Sequence, residues 1–169
     1  MDRRYNPRMR RKDREITDRS EIDALLGHST VCRVGFAVDN EPYVVPLSHG
    51  YDAAAEALFL HTAKEGKKIE CIAANPRVCF EVEGLVEVKE GDTRACSWGV
   101  RYESVIGFGT IVEITDPAEK ARACLILTEQ QAGRSMEWTT NERALAGTRV
   151  WRLDVESVTG KRSFVPDGG

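Results

Sequence analysis

The chain has 169 residues, of which 41% are hydrophobic and 30% charged, and its formal net charge is −3. This length favours one domain with a sizeable core over two domains, and the composition is ordinary for a globular protein. No apolar run reaches the roughly 20 residues that a membrane-spanning helix needs, and the N-terminus is basic, unlike a secretory signal. We therefore expect a cytoplasmic protein without a membrane partner.

The cysteines and histidines lack the spacing that a disulfide framework or a metal site requires. The cysteines are odd in number and never form a Cys-x-x-Cys pair, and the histidines show no ligand spacing. We therefore expect neither kind of site. The residues concerned are Cys32, Cys71, Cys79, Cys96, Cys124, His28, His49 and His61.

The N-terminal segment carries much of the positive charge, with seven basic side chains in residues 1–14. Such an arm can bind nucleic acid, but no interleaved aromatic residues or nucleic-acid motif accompany it. We expect no nucleic-acid partner and an arm that is instead solvated or lies along its own acidic partner. The sequence predicts a disordered arm over residues 1–8, a single domain over 9–162 and a tail over 163–169.

The first predicted elements are a short helix and two strands. Asp18 is a suitable N-cap for an amphipathic helix that ends near Gly27, and the apolar residues 31–38 predict a buried strand. A second strand begins at Pro42. Its Pro46 has no N–H for a strand ladder, so this position indicates an edge, a bulge or the close approach of another group.

The junction of the next strand and helix is the most informative stretch. Strand residues 57–62 follow a hairpin connection over 51–56, and the apolar pattern after them predicts a helix that ends at Asn75. Thr62 and Glu65 have the spacing of a capping box, which predicts that the helix opens directly after the strand.

A phosphate site is one interpretation of this junction. Thr62, Gly66, Lys67 and Lys68 gather at the helix N-terminus, where free N–H groups, the helix dipole, a hydroxyl and two ammonium groups suit a phosphate. The alternative is an ordinary capped surface helix with solvated lysines. Spacing alone favours that alternative, because a capping box is a common signal.

The rest of the chain alternates strands with short helices. Strands are predicted at 78–88, 102–114 and 150–158, with helices that start at Asp116 and near Thr140. About six strands in hairpins and meanders favour an antiparallel barrel over a parallel sheet. The predicted fold is therefore mainly β with short flanking helices.

The stretch His61-Thr62-x-x-x-Gly66-Lys67-Lys68 resembles the flavin site of pyridoxamine 5′-phosphate oxidase-like split-barrel proteins. In that family an aromatic-Thr pair and a Ser-Arg-Lys run hold the phosphate of FMN. Here His61 replaces the aromatic residue, Gly66 the Ser and Lys67 the Arg, while Thr62 and Lys68 match.

Further pieces resemble the 5-nitroimidazole resistance (Nim-like) branch of that superfamily, and their order and spacing span most of the chain. The pieces are Met9–Lys12, Pro42-Tyr-x-Val-Pro46, Phe59-x-His61, Gly66-x-Lys68, Asn75–Phe80 and Tyr102-x-Ser-Val105. The resemblance implies a six-stranded split barrel that forms a homodimer with FMN in each of two interface clefts.

The resemblance also assigns roles to individual residues. One group lines the flavin ring, a second surrounds the phosphate, a third closes the site from a later strand, and one residue comes from the partner subunit. In that order they are Val44, Val45, Pro46, Leu47 and Ser48; His61, Thr62, Glu65, Gly66, Lys67 and Lys68; Tyr102 and Ser104; and Trp151.

For function, the resemblance implies an oxidoreductase that passes electrons from reduced FMN to a small planar acceptor such as a nitroimidazole. The alternatives are a flavin-binding protein without catalysis and a split-barrel haem protein. His61 either donates a proton near the flavin or has a structural role. Oxidation of pyridoxamine phosphate itself is not expected, because only Trp151-Arg152 and Lys161-Arg162 correspond to that enzyme's Arg-rich substrate segment.

Overall fold

The computed structural model describes residues 9–135, 137, 139 and 142–163 of the chain. This part of the chain contains seven strands and four α-helices. The predicted arm over residues 1–8 and positions 164–169 of the predicted tail lie outside it. The strands are β1 (Glu15–Ile16), β2 (Val31–Val38), β3 (Glu41–Asp52), β4 (Ala57–Thr62), β5 (Arg77–Lys89), β6 (Gly99–Glu113) and β7 (Arg149–Arg162). The helices are α1 (Arg19–His28), α2 (Lys67–Ala74), α3 (Pro117–Ala132) and α4 (Glu142–Gly147).

The six long strands close into an antiparallel barrel. The sheet order is β1-β7-β4-β3-β2-β5-β6, and β6 also pairs with β7, which joins the two ends. The predicted fold class is confirmed. The seventh strand, β1, was missed because two residues carry no periodic pattern; it pairs Glu15 with Lys161 of β7.

The barrel interior is the main core, and alternation along each strand supplies its side chains. On β2, for example, Cys32, Val34 and Phe36 are buried, whereas Val31 and Arg33 are exposed on the outer side. Removing such apolar side chains from water is the main force that stabilises the closed sheet.

Helix α3 covers one part of the outer surface, here called the covered face: Gly50, Phe59, Ile114 and Val150. Phe59, Ile114 and Val150 form a second buried cluster with Ala123 of α3. The helix packs so closely that a Cβ on Gly50 would lie 2.6 Å from the Cα of Leu127. Glycine at position 50 is therefore required by the approach of α3.

A second part of the outer surface, here called the open face, consists of Gly35, Val44, Cys79, Ile106 and Phe108. The strand register places Val44 beside Gly35, Gly35 beside Cys79, and Cys79 beside Phe108. Val44 is 62% exposed and Ile106 is 44% exposed. The open face is thus an apolar surface in contact with solvent.

None of the helices in the described ranges combines the length and apolar character needed to span a bilayer.

Candidate functional site

The outer side of β3 presents only part of the predicted ring-binding run. Val44 and Pro46 are exposed and Ser48 is half-buried, whereas Leu47 is a buried core residue and Val45 packs against the same core. Side chains alternate between the two faces of a strand, so the side chains of Val45 and Leu47 do not face the outer side. Only their backbone is available on that side for the ring contact predicted for residues 44–48, which stays a prediction.

His61 lies on the same outer side as Ser48. His49 pairs with Leu60, and both side chains point into the barrel. Because side chains alternate along a strand, those of Ser48 and His61 lie together on the outer side. His61 is exposed. The structure thus brings this predicted residue next to the outward part of β3.

Thr62 points the other way, into the barrel, and is 6% exposed. Its hydroxyl donates to the carbonyl of Ala63 at 2.8 Å and accepts from Nε1 of Trp151 at 2.9 Å. Both of these bonds lie within one chain. The prediction that Trp151 comes from the partner subunit is therefore corrected: its ring is 4% exposed in its own subunit's core.

The predicted capping box does not form. Helix α2 starts at Lys67 with Gly66 as its N-cap and without a side-chain cap, so Glu65 lies before the helix. The hydroxyl of Thr62 is already engaged by Ala63 and Trp151. Four residues, the 63–66 loop, therefore separate β4 from α2.

The N-terminus of α2 has the glycine and the two lysines that the sequence predicted, but not the Thr62 hydroxyl. Gly66 has φ 118° and ψ 169°, a conformation that is essentially restricted to glycine. The first N–H groups of a helix have no partner within it. Lys67 is exposed and its Nζ lies 4.7 Å from the ring centroid of Tyr43 on β3, while Lys68 is half-buried beside it.

Arg149 and Glu113 form a part of the site that sequence reasoning missed. Nε and Nη2 of Arg149 donate to the two carboxylate oxygens of Glu113, and the guanidinium carbon lies 4.6 Å from the Trp151 ring centroid. The hydrogen bonds with Arg149 hold the pKa of Glu113 below its usual value. The two residues are 36 positions apart, so no local pattern could reveal the pair.

Tyr102 and Ser104 are not brought to this site within one chain. Ser104 pairs with Lys161, whereas Trp151 pairs with Glu113 at the other end of the same strand pair. The ten residue steps along β7 from Trp151 to Lys161 span about 33 Å at ~3.3 Å per residue. Tyr102 and Ser104 can therefore reach a site near Thr62 only in another copy of the chain.

Charged side chains lie beside Pro46 on the outer side. Arg33 pairs with Pro46 in the strand register and contacts Glu81 at 3.1 Å and Glu83 at 2.8 Å. Burial and the charge of Glu83 raise the pKa of Glu81. This cluster was also missed, because its members come from two strands that are distant in sequence.

The other two histidines have local structural contacts. Nδ1 of His28 lies 2.7 Å from the carbonyl of Ala24 in its own helix, and Nε2 of His49 lies 3.0 Å from the carbonyl of Leu26. Among the described residues, no group of three His, Cys, Asp or Glu side chains could hold a metal ion.

Together these residues fit a planar ligand that carries a phosphate. Two ammonium groups and free N–H groups lie at the α2 N-terminus, and the exposed apolar Val44 and Pro46 lie on the outer side of β3. The buried Thr62 hydroxyl fits a structural role and not a phosphate contact, because both of its bonds are made within the chain.

Comparisons with known proteins, by sequence profile and by structure, point to one family. The sequence profile of the family described as pyridoxamine 5′-phosphate oxidase matches residues 18–162. None of the curated proteins matches the chain. One similar solved structure is a candidate 5-nitroimidazole antibiotic resistance protein from Bacteroides thetaiotaomicron: 29% identity, 88% of this chain and 86% of that chain covered, TM-score 0.75.

Two further structures are similar. An FAD-binding protein from Mesorhizobium loti is 26% identical, with 89% of this chain and 98% of that chain covered and a TM-score of 0.65. An FAD- and haem-binding protein from Mycobacterium smegmatis is 21% identical, with 92% and 77% covered and a TM-score of 0.74, a likeness that shows the fold alone. The predicted resemblance to split-barrel proteins is confirmed.

Proposed function

The chain belongs to the pyridoxamine 5′-phosphate oxidase family, and we propose that it is an FMN-binding oxidoreductase that passes electrons to a small planar acceptor such as a nitroimidazole. One observation carries this proposal. Lys67 and Lys68 stand at the glycine-capped start of α2, and four residues separate this start from the end of β4 at Thr62. Nζ of Lys67 lies 4.7 Å from the ring centroid of Tyr43 on β3. The likeness to a candidate nitroimidazole resistance protein at 29% identity supports the choice of acceptor.

In this proposal the protein binds and orients, and FMN, when bound, supplies the electron-transfer chemistry. Lys67, Lys68 and the N–H groups at the α2 start bind the phosphate. Val44 and Pro46 offer an apolar surface to the ring. His61 is exposed on that side and holds a proton on its imidazole for delivery to the acceptor, since nitro reduction consumes protons.

We also propose that the active unit is a homodimer formed through the open face. The exposed apolar side chains of Val44 and Ile106 favour burial against a second copy. A dimer also offers a route by which Tyr102 and Ser104 of one subunit reach the phosphate site of the other. The cytoplasmic location stays a prediction.

Light scattering tests the dimer. Ile106→Glu places a carboxylate in the proposed interface, where burial without a partner costs several kcal/mol, so the variant should be monomeric. Ala54→Glu adds the same charge in the exposed turn between β3 and β4 and should stay dimeric. A monomeric wild-type protein that binds FMN at full affinity would refute the interface site.

Absorption spectroscopy of the purified protein tests the cofactor. Flavin bands that bleach with dithionite, and FMN in the extract of the denatured protein, are the expected result. FAD in that extract would replace FMN in the proposal, and a Soret band would favour a haem protein. A colourless protein that binds no added flavin would overturn the proposal.

A further inference from the structure

We propose that Arg149 is a positioning residue that orients the peptide groups of the 63–66 loop, so that this loop binds the FMN phosphate with its backbone N–H groups. The inference rests on the proposed function for the identity of the ligand. The orientation of the loop itself is a property of the flavin-free chain.

Arg149 connects three elements around the loop. It pairs with Thr62 in the register of β4 and β7, and it is fixed by its two hydrogen bonds to Glu113 on β6. Its remaining nitrogen, Nη1, lies 3.4 Å from the carbonyl of Lys64 and donates to it. Its guanidinium lies over Trp151, whose indole N–H bonds the Thr62 hydroxyl.

These contacts fix two successive carbonyl groups of the loop. Thr62 binds the carbonyl of Ala63, and Arg149 binds the carbonyl of Lys64. In a planar trans peptide the N–H points opposite to the C=O, and the peptide bonds of the described residues, this loop among them, are all trans. The N–H groups of Lys64 and Glu65 therefore point away from Thr62 and Arg149.

The outward N–H groups of the loop continue into the N–H groups at the start of α2. Gly66 makes this turn possible with its φ of 118°, which a residue with a side chain adopts only under strain. Successive N–H groups in such a turn form a concave binding site for an anion. Lys67 and Lys68 add positive charge at the same place.

Arg149 acts through the loop and does not contact the phosphate in this proposal. Its charge is matched by the carboxylate of Glu113 at close range, and two of its three nitrogens are engaged there. A Lys at position 149 keeps the charge, but its single ammonium cannot make the fork to Glu113 and also reach the Lys64 carbonyl.

The affinities for FMN and for riboflavin separate positioning from general stability, because riboflavin lacks the phosphate. Arg149→Met keeps an unbranched side chain over Trp151 and removes all the hydrogen bonds. We expect FMN affinity to fall about tenfold, the effect of weakening one hydrogen bond to a charged group, with riboflavin affinity unchanged. Arg149→Lys should behave like Arg149→Met.

Arg122→Met is the matched control. Arg122 on α3 likewise pairs with a carboxylate, that of Asp52, and lies 5.8 Å from the centroid of the Phe59 ring. It has no contact with the 63–66 loop in the hydrogen bonds of the described residues. Both affinities should be unchanged in this variant.

Backbone 15N relaxation in the flavin-free protein provides a second measurement, because it reports the order of an N–H group that has no hydrogen-bond partner. We expect lower order parameters for residues 64–66 in Arg149→Met than in wild type or Arg122→Met. Unchanged order parameters, or an equal loss of FMN and riboflavin affinity, would overturn the positioning role.

Full FMN affinity in Arg149→Lys would show that the charge alone acts and would also overturn the positioning role. If wild type binds FMN no better than riboflavin, the phosphate site fails instead. If wild type binds neither, the proposed function fails, and the order parameters still decide whether Arg149 orders the loop.

Discussion

The covered face and the open face belong to one barrel, but the first packs against helix α3 and the second is in contact with solvent. The covered face is buried by α3, which approaches Gly50 so closely that no side chain fits there. On the open face a Cβ on Gly35 would lie 3.5 Å from the Cys79 carbonyl, an ordinary contact, and Val44 and Ile106 remain exposed. The barrel of one chain therefore closes without any element packed on the open face. That face is available to a ligand or to a second copy of the chain.

His61 pairs with Val150 of the covered face but is itself exposed, and its replacement should give the largest effect. His61→Phe should retain FMN and lose about 10²–10⁴-fold in turnover, because a positioned proton donor contributes that much. Anaerobic stopped-flow mixing of photoreduced protein with a 5-nitroimidazole measures the rate. His28→Phe, which changes the exposed histidine at the end of α1, is the control; if both variants react as fast as wild type, His61 has only a structural role.

Replacing the two lysines that would bind the FMN phosphate should give the second largest effect. Lys67→Ala combined with Lys68→Ala should weaken FMN binding about tenfold to a hundredfold, the effect expected for a charge-assisted phosphate contact. Fluorescence titration measures the affinity, and riboflavin is the control ligand, with no expected change. Equal FMN affinity in the double variant and wild type would remove the phosphate from the start of α2.

Two glycines test the difference between the faces directly. Gly50→Ala should lower the free energy of unfolding by about 1–3 kcal/mol, because the added methyl overlaps the backbone of α3 at Leu127. Gly35→Ala on the open face should leave it nearly unchanged in the monomer. Urea unfolding of both variants measures the difference. A cost for Gly35→Ala as large as that for Gly50→Ala would show that the open face is also closely packed.

The smallest expected effect is a pH dependence from His49, whose ring points inward from β3 beside Gly50 of the covered face and contacts the Leu26 carbonyl of α1 and Gln130 of α3. His49 is fully buried, and burial lowers the pKa of its imidazole below the usual value of about 6.5. Below pH 6.5 the unfolded chain binds a proton that the native protein does not, so stability falls as pH falls. The slope of this loss is at most about 1.4 kcal/mol per pH unit, the limit for one proton.

Urea unfolding between pH 7.5 and 5.5 measures this slope. His49→Gln should flatten it, since Gln does not titrate, whereas His28→Gln should change it little because His28 is exposed. An equal slope in His49→Gln and wild type would assign the pH dependence to other groups.

Local sequence signals determined the elements of the fold and one end of the site. The strand predicted over 31–38 is β2, and the helix start predicted at Asp116 is the cap of α3, where its carboxylate accepts from the N–H of Glu119. Gly66, Lys67 and Lys68 stand at a helix start as predicted. These features depend on alternation, capping and backbone conformation, which act between residues near each other in the chain.

Only the tertiary structure decided which groups face the ligand side. Thr62 matched its family position, yet Trp151, 89 residues away, takes its hydroxyl into the barrel. Arg149 and Glu113 meet because β6 and β7 pair across the barrel closure. Whether a side chain has a hydrogen-bonding group free for a ligand depends on the neighbouring side chains in the folded protein. Contacts between strands that are distant in sequence leave no periodic signal in the sequence.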